Sequence, residues 1–189
     1  MKKIVILASG SGTNAQNIIE YLNKTVEKKV SLVLSNKKDA KVLERAAKLG
    51  VPAQSFSRHD FYETDRIPGI LEDIAPDLIV LAGFLWLVPA KLLQSYPGKI
   101  INIHPALLPS YGGKGMYGRH VHEAVLENHE KESGITIHFV NEVYDQGDII
   151  FQKKCPVFPG DTPEKLAARI HQLEYHHFPL IIDQLLNGM

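Results

Sequence analysis

Short apolar runs alternate with segments of helical periodicity along the first hundred residues. The apolar runs predict four buried strands, within residues 4–8, 30–34, 77–82 and 100–104, and a shorter extended piece at residues 51–56. Apolar positions at helical spacing predict helices between them, around residues 14–22, 42–47, 67–74 and 89–93. Strands that are apolar on both faces and separated by helices are typical of a parallel sheet covered on both sides.

The pattern changes in the C-terminal third of the chain. Residues 134–140 and 148–157 predict two longer strands with partial alternation, separated by a polar segment. A long helix follows, with Thr162 as its N-cap and Pro163 at its first position. We expect Pro179 to kink or reset this helix, because proline removes a backbone donor and crowds the preceding turn.

Two further residues are expected to bound the second helix, with Asp39 as its N-cap and Gly50 at its end. No composition break or linker divides the chain. The sequence therefore predicts a single α/β domain over residues 1–189. Its fold is expected to be Rossmann-like, with a mostly parallel central sheet, helices on both faces and an antiparallel C-terminal portion.

Composition narrows the function classes. Hydrophobic residues make up 44% of the chain, which favours a packed core over disorder. The 21 basic and 21 acidic residues balance, so net charge gives no reason to expect nucleic acid or a membrane surface as a partner. Cys155 is the only cysteine and has no intramolecular partner. The N-terminal apolar run is too short for a signal peptide, and no stretch could span a membrane, so we expect a cytoplasmic protein.

A glycine-rich loop, residues 9–14, lies between the first strand and the first helix. Its glycines allow close approach of the backbone to a ligand, and the helix N-terminus favours an anion. The spacing also fits the dinucleotide fingerprint, but no carboxylate ends the second strand to hold a ribose. The loop could also simply turn the chain. A bound phosphate monoester is the favoured interpretation.

Asn102 and His104 lie two residues apart at the carboxyl end of a predicted strand. Alternation places both side chains on one face, at the edge of the sheet where ligands bind in open α/β folds. An amide donor beside an imidazole can stabilise an oxyanion and move a proton. The alternative is a strand end with a hydrogen-bonded histidine and no chemical role.

Asp145 lies in a predicted turn between the two C-terminal strands, where aspartate and glycine are common for conformational reasons alone. A carboxylate near His104 would favour the charged imidazole and could order a water that carries protons. The sequence by itself does not establish that Asp145 faces His104.

The remaining histidines offer two apparent metal clusters, one with His120 and His122 and the other with His171, Glu174, His176 and His177. Neither has a recognised zinc spacing. A loop and a helix face explain these residues, so we expect no metal.

In chain order, residues 9–14, residues 81–84 and residues 102–109, followed by residues 138–140 with Asp145, closely resemble the phosphoribosylglycinamide formyltransferase family. The resemblance covers nearly the whole chain. The stretch from Asn102 is shared with other folate-dependent formyltransferases and formyl hydrolases, so it indicates the chemistry. The resemblance in the glycine loop implies that the molecule accepting the formyl group carries a ribosyl phosphate.

The resemblance implies transfer of the formyl group of 10-formyltetrahydrofolate, the co-substrate, to the amine of a glycinamide ribonucleotide in purine synthesis. It implies a formyltransferase fold, with a nucleotide-binding half at 1–100 and a catalytic and folate-binding half at 101–189. The implied catalytic residues are Asn102, His104 and Asp145. The implied ribonucleotide ligands are Gly12, Thr13, Asn14, His171 and Glu174. The implied folate neighbours are Leu85, Trp86, Leu87, Val88, Asn102, Asn141 and Val143.

Some positions depart from the family pattern. Thr64 is the nearest match to an arginine that contacts folate, and Trp86 stands where a basic residue is familiar. The loop at residues 111–118 is longer than in several relatives, and His120 is a further residue that could lie near the site. These differences concern folate binding and not the reaction.

Three other functions compete with this one. A formyl-folate hydrolase is expected to carry a domain before the catalytic one, whereas the first strand here begins near residue 4. A transferase acting on initiator tRNA is expected to have a second, basic domain. A binding module without catalysis would make the pairing of Asn102 with His104 incidental. The expected partners are small molecules, and the chain is expected to be a monomer or a homodimer.

Overall fold

A computed structural model gives the fold, and it describes residues 1–188. The strands in this part of the chain are β1 (Lys2–Ala8), β2 (Lys28–Ser35), β3 (Ala53–Ser55), β4 (Leu78–Leu81), β5 (Ile100–His104), β6 (Glu132–Phe139) and β7 (Ile149–Pro156). The helices are α1 (Thr13–Leu22), α2 (Lys41–Lys48), α3 (Arg58–Tyr62), α4 (Arg66–Ile74), α5 (Ala90–Ser95), α6 (Arg119–Glu127) and α7 (Pro163–Asn187).

All seven strands form one sheet in the order β3-β2-β1-β4-β5-β6-β7. The first five strands pair in parallel, and β6 and β7 extend the sheet with antiparallel pairs. This mixed sheet confirms the predicted fold class. Its parallel part is built from strands joined through helices, which is the connection that parallel pairing requires.

The core has two layers, one on each face of the sheet. In β1, Ile4 and Ile6 pack into one layer, and Val5 and Leu7 pack into the other. All four side chains are at most 2% exposed. Because successive strand residues point to opposite faces, an unbroken apolar run identifies a strand that is covered on both sides.

Helix boundaries follow the prediction in part. Thr162 caps α7 by accepting a hydrogen bond from the Lys165 backbone, as expected. Asp39 was predicted to cap α2, and this is wrong: the N-cap is Ala40, with no side-chain hydrogen bond. Helix α7 also continues past Pro179 to its end at Asn187. The helices α3 and α6 were not predicted, because α3 has only five residues and α6 directly follows a glycine-rich loop.

The order of the strands fixes where a ligand can bind. The chain runs outward from β1 through β2 to β3, then returns to β4 on the other side of β1. The strand order therefore reverses between β1 and β4. At such a switch point the loops that follow the two strands turn away from each other and leave a crevice at the carboxyl ends of the strands. The glycine loop after β1, the segment after β4 and the end of β5 all open there. No helix within residues 1–188 is long and apolar enough to cross a membrane.

Candidate active site

A cleft of about 810 Å³ lies at the carboxyl edge of the sheet. The glycine loop, the segment after β4 and the end of β5 form its floor, and α6, α7 and the loop at residues 113–119 form its walls. The three catalytic candidates and all five ribonucleotide candidates line this one cavity. Sequence motifs that are 160 residues apart are therefore neighbours in space.

The glycine loop is held in place from both sides. Gly12 has a φ of 76°, and a side-chain carbon on it would lie 2.5 Å from Val42 of α2. The Ser9 hydroxyl accepts a hydrogen bond from the Leu85 backbone at 3.0 Å, which joins the loop to the segment after β4. No side chain caps α1, so its first N–H groups remain open toward the cleft. Lys37, not a carboxylate, lines the cleft beyond β2.

Asn102 lies opposite His138 in the antiparallel pairing of β5 with β6. Its amide nitrogen lies 3.1 Å from His138 Nε2 and 3.4 Å from Asp145 Oδ1. His138 Nδ1 donates to the Phe139 carbonyl at 2.8 Å, because a carbonyl can only accept. His138 Nε2 lies beside both the Asn102 amide and Asp145 Oδ1, which is 3.6 Å away, and its contact with Asn102 holds the amide in position.

His104 is almost fully buried, at 3% exposure. Its Nε2 donates to the Tyr111 carbonyl at 2.7 Å, and its Nδ1 faces Asp145 Oδ2 at 3.5 Å. Burial is the largest influence on the pKa of His104 and lowers it, while the Asp145 carboxylate and the Tyr111 carbonyl oppose this effect. The pKa of His104 is therefore below its ordinary value, which favours the neutral imidazole with Nδ1 facing Asp145 as a proton acceptor.

Asp145 connects the site to the loop above it. Its Oδ2 accepts a hydrogen bond from the Gly113 backbone at 2.9 Å, and its side chain is 11% exposed. Burial alone raises the pKa of Asp145, but hydrogen bonding to His138 and the charge of His104 hold it below its usual value. Asp145 is therefore a carboxylate that faces His104. The sequence could not establish this contact.

Glu174 of α7 is buried at 4% exposure, and its carboxylate closes the other end of the cleft. Its Oε2 accepts hydrogen bonds from Asn14 Nδ2 at 2.9 Å and from His171 Nδ1 at 2.8 Å. This carboxylate therefore lies against the first turn of α1, beside the glycine loop. His171 is half-exposed at the rim, and its hydrogen bond to Glu174 raises its pKa.

The raised pKa of His171 predicts a pH-dependent contribution to stability. A group whose pKa rises on folding stabilises the protein below its ordinary pKa of about 6.5, and that contribution is lost as the pH rises through the raised value. We expect His171→Gln to lower the unfolding free energy more at pH 5.5 than at pH 9, measured by urea unfolding. In a Glu174→Gln background the same substitution should show no such pH dependence. Equal effects at both pH values in the otherwise native protein would contradict the assignment.

The segment after β4 lies partly in the cleft. Leu85 lines the cavity, whereas Trp86, Leu87 and Val88 do not. Trp86 packs against Phe56, Phe61, Phe84 and Tyr62, and Val88 is 4% exposed in the second core layer. The aromatic residue at position 86 is thus part of a ring cluster on this side of the sheet.

The segment after β6 lies above the site. The Asn141 side chain accepts a hydrogen bond from the Val143 backbone at 2.9 Å, and Val143 is 50% exposed. Neither lines the cavity, but Tyr144 and Asp145, which follow them, do. Thr64 is bonded to the Asp60 carbonyl and is outside the cavity as well.

The remaining histidines separate into distinct environments. His120 is exposed and outside the cavity, beside Glu123 at 3.6 Å. His122 is buried and lines the cavity. Among residues 1–188, no group of three or more His, Cys, Asp or Glu side chains is arranged to hold a metal ion. The sequence assigned no role to His138, because its contact with Asn102 depends on the register between β5 and β6.

A sequence model of the formyl transferase family matches residues 2–182 of this chain. The phosphoribosylglycinamide formyltransferase of Haemophilus influenzae is 42% identical, and the match covers 100% of this chain and 89% of that protein. The enzymes of the same name from Escherichia coli and Bacillus subtilis are each 38% identical over 98% of this chain, covering 87% and 95% of their own lengths.

Solved structures give the same result. Glycinamide ribonucleotide transformylase 1 from Symbiobacterium toebii superposes with a TM-score of 0.91 at 36% identity, covering 100% of this chain and 89% of that one. The corresponding enzyme from Geobacillus kaustophilus gives a TM-score of 0.89 at 38% identity, covering 98% and 99%. With family model, full-length relatives and fold in agreement, the chain belongs to the phosphoribosylglycinamide formyltransferases of the formyl transferase family.

Proposed function

We propose that the protein transfers the formyl group of 10-formyltetrahydrofolate to the amine of 5′-phosphoribosylglycinamide, a step of purine biosynthesis. One observation carries the proposal: a single cleft has the glycine loop and the N-terminus of α1 at one end and Asn102, His104 and Asp145 at the other. A ribonucleotide whose phosphate binds at the first end can present its amine at the second.

The ribonucleotide binds along the glycine loop and α7. Backbone N–H groups at residues 12–14 hold the phosphate, where the dipole of α1 favours negative charge. Glu174 accepts hydrogen bonds from the sugar, and its contact with Asn14 holds it next to the phosphate. His171, at the rim, adds a cationic partner when it is protonated. The first half of the chain thus supplies the glycine loop for the phosphate, and the second half supplies the catalytic groups together with Glu174 and His171.

The folate binds on the side of the cleft where Leu85 and Tyr144 lie and extends over the adjoining residues 86–88 and 141–143, which are outside the cavity. Leu85 and Tyr144 line this side of the cavity, which supports the assignment. The Tyr62 hydroxyl donates to the Leu87 carbonyl at 2.8 Å, which fixes part of the backbone that edges the pteridine. The pteridine contacts Leu85, Asn141 and the backbone of residues 86–88 and 143 in this proposal.

The substrate amine attacks the formyl carbon directly. A carbon–nitrogen bond forms, the bond from that carbon to the folate nitrogen breaks, and one proton passes from the amine to the departing nitrogen. Negative charge develops on the formyl oxygen, toward which the Asn102 amide donates and toward which His104 Nδ1 donates once it is protonated. Asn102 Nδ2 carries two N–H groups. The one that donates to the formyl oxygen is the one facing Asp145 Oδ1 at 3.4 Å, because this contact is longer than the 3.1 Å contact with His138.

Asp145 and His104 hold and move the proton. The 3.5 Å separation of His104 Nδ1 from Asp145 Oδ2 is longer than a strong hydrogen bond, so both atoms remain available to a reacting group. Asp145 stabilises the imidazolium when His104 is protonated and orders the water that takes the amine proton. Holding both substrates in register contributes much of the remaining rate.

A two-substrate assay tests the proposal. Purified protein is mixed with 10-formyltetrahydrofolate, with and without phosphoribosylglycinamide, and loss of the formyl-folate is followed by absorbance. We expect consumption only when the amine is present. Consumption without the amine would indicate a hydrolase, and binding of either substrate without turnover would indicate a binding module.

Substituting Gly12 should damage the phosphate site specifically. In Gly12→Ala the new Cβ meets Val42 at 2.5 Å, and its φ of 76° disfavours any side chain. We expect KM for the ribonucleotide to rise at least about tenfold, together with a lower melting temperature. Gly10→Ala is the matched control, because nothing lies within 4 Å of its Cβ. Equal KM values for both variants would argue against a backbone cradle at Gly12.

A further inference from the structure

His122 is a buried polar side chain without a protein partner. It lies on α6, is 3% exposed and lines the cleft. Its Nδ1 is shielded from solvent and has no hydrogen-bond partner in the described part of the chain. Buried polar groups are nearly always hydrogen-bonded, and leaving one unpaired costs about 1–3 kcal/mol. A partner from outside the chain would remove this cost.

The neighbours of His122 locate it within the cleft. Its charge interacts with Glu174 and His171 of α7 and with His104 at the end of β5. Glu174 lies against Asn14, at the phosphate end, and His104 lies at the reactive end. His122 therefore lines the cleft within electrostatic reach of groups at both of its ends.

The same neighbours define what His122 can recognise. Burial is the largest influence on its pKa and lowers it; His171 and His104 act in the same direction, and Glu174 opposes them. A neutral imidazole offers one N–H donor and one lone pair. A hydroxyl can pair with either of these groups, because it both donates and accepts, whereas a phosphate favours cations.

We propose that His122 is a specificity-determining residue that hydrogen-bonds a ribose hydroxyl of the ribonucleotide. The inference rests on the proposed function, since it assumes that a ribonucleotide occupies the cleft. In such a substrate the ribose joins the phosphate to the amide that carries the amine. His122 lines the cleft within electrostatic reach of groups at both of its ends, with Glu174 as a second partner for the sugar.

The experiment combines His122→Leu with substrates that lack one hydroxyl. Leucine fills a similar volume and removes both nitrogens. We expect KM for the ribonucleotide to rise about five- to tenfold, with KM for 10-formyltetrahydrofolate unchanged within twofold. The substrates are the 2′-deoxy and the 3′-deoxy ribonucleotide. With one of the two, the native protein and His122→Leu should have equal KM values. The penalty then depends on that one hydroxyl.

Several controls separate this role from a structural one. His120→Leu, on the same helix but outside the cavity, should leave both KM values unchanged. His122→Leu should not lower the melting temperature of the free protein, because it removes an unpaired buried group. His122→Asn and His122→Gln restore hydrogen-bonding groups, and at least one should recover part of the affinity. If the leucine variant does not fold, KM for the ribonucleotide is compared between the native protein and these two variants.

The outcomes distinguish this inference from the proposed function. If the native protein does not turn over the ribonucleotide, the proposed function fails. If it does, and His122→Leu shows an unchanged KM or the same penalty with both deoxy substrates, only the role of His122 is overturned. A melting temperature that falls with no change in KM would assign His122 to the core.

Discussion

Replacing His104 by alanine is expected to lower kcat by about a hundred- to a thousandfold, the size of effect seen when one donor to an oxyanion is removed. His104 is the group whose two nitrogens connect the Tyr111 carbonyl to the Asp145 carboxylate. Its loss removes Nδ1, which can take a proton when the imidazole is neutral and can donate to the formyl oxygen once it is protonated. The measurement is kcat at saturating concentrations of both substrates.

Folding must be intact for this result to count. The melting temperature and far-ultraviolet circular dichroism of His104→Ala should stay close to those of the native protein, since β5 keeps its backbone pairing with β4 and β6. His120→Ala, an exposed histidine outside the cavity, is the control and should retain native kcat. Near-native kcat in folded His104→Ala would refute its catalytic role.

Substituting Asp145 should have an effect of similar size. Asp145→Asn keeps the shape of the side chain and tolerates its φ of 57°, but removes the charge that favours imidazolium at His104. We expect kcat to fall about a hundredfold or more. Loss of the carboxylate should also lower the pKa of His104 further, so the kcat–pH profile should move to lower pH.

Comparing Asp145→Ala with Asp145→Asn distinguishes the effect of losing the charge from the effect of losing the local structure. Asp145→Ala also loses the hydrogen bond from the Gly113 backbone and places alanine at a positive φ, so it should lower the melting temperature as well as kcat. Asp145→Asn should lower kcat with little change in melting temperature. An unshifted pH profile in Asp145→Asn would exclude electrostatic coupling between Asp145 and His104.

The parallel half of the fold could be predicted because each strand carries its own signal. An unbroken apolar run such as β1 fits only a strand that is buried on both faces, and the Asn102–His104 spacing places both residues on one face. Caps were less predictable: Asp39 has the right residue type, but the backbone enters α2 one residue later, at Ala40. The helix through Pro179 is retained because its flanking residues Phe178 and Ile182 are fully buried in the core.

Contacts within the site depended on tertiary structure. The sequence identified Asn102 and His104 because strand alternation is local. The contact of Asp145 with His104 depends on how the turn after β6 folds back, which Gly147 permits by packing directly against the Phe139 carbonyl. His138 and His122 were missed for the same reason, since their positions depend on strand register and on helix packing.

The most direct test of formyl transfer follows the transferred carbon itself. Native protein is incubated with phosphoribosylglycinamide and 10-formyltetrahydrofolate labelled with ¹³C in the formyl group, and the products are examined by NMR. We predict that the label appears in an N-formyl amide of the ribonucleotide, in equal amount to the tetrahydrofolate released, and that folded His104→Ala forms it far more slowly. Release of the label as free formate, or formation of the amide at the same rate without protein, would contradict the account.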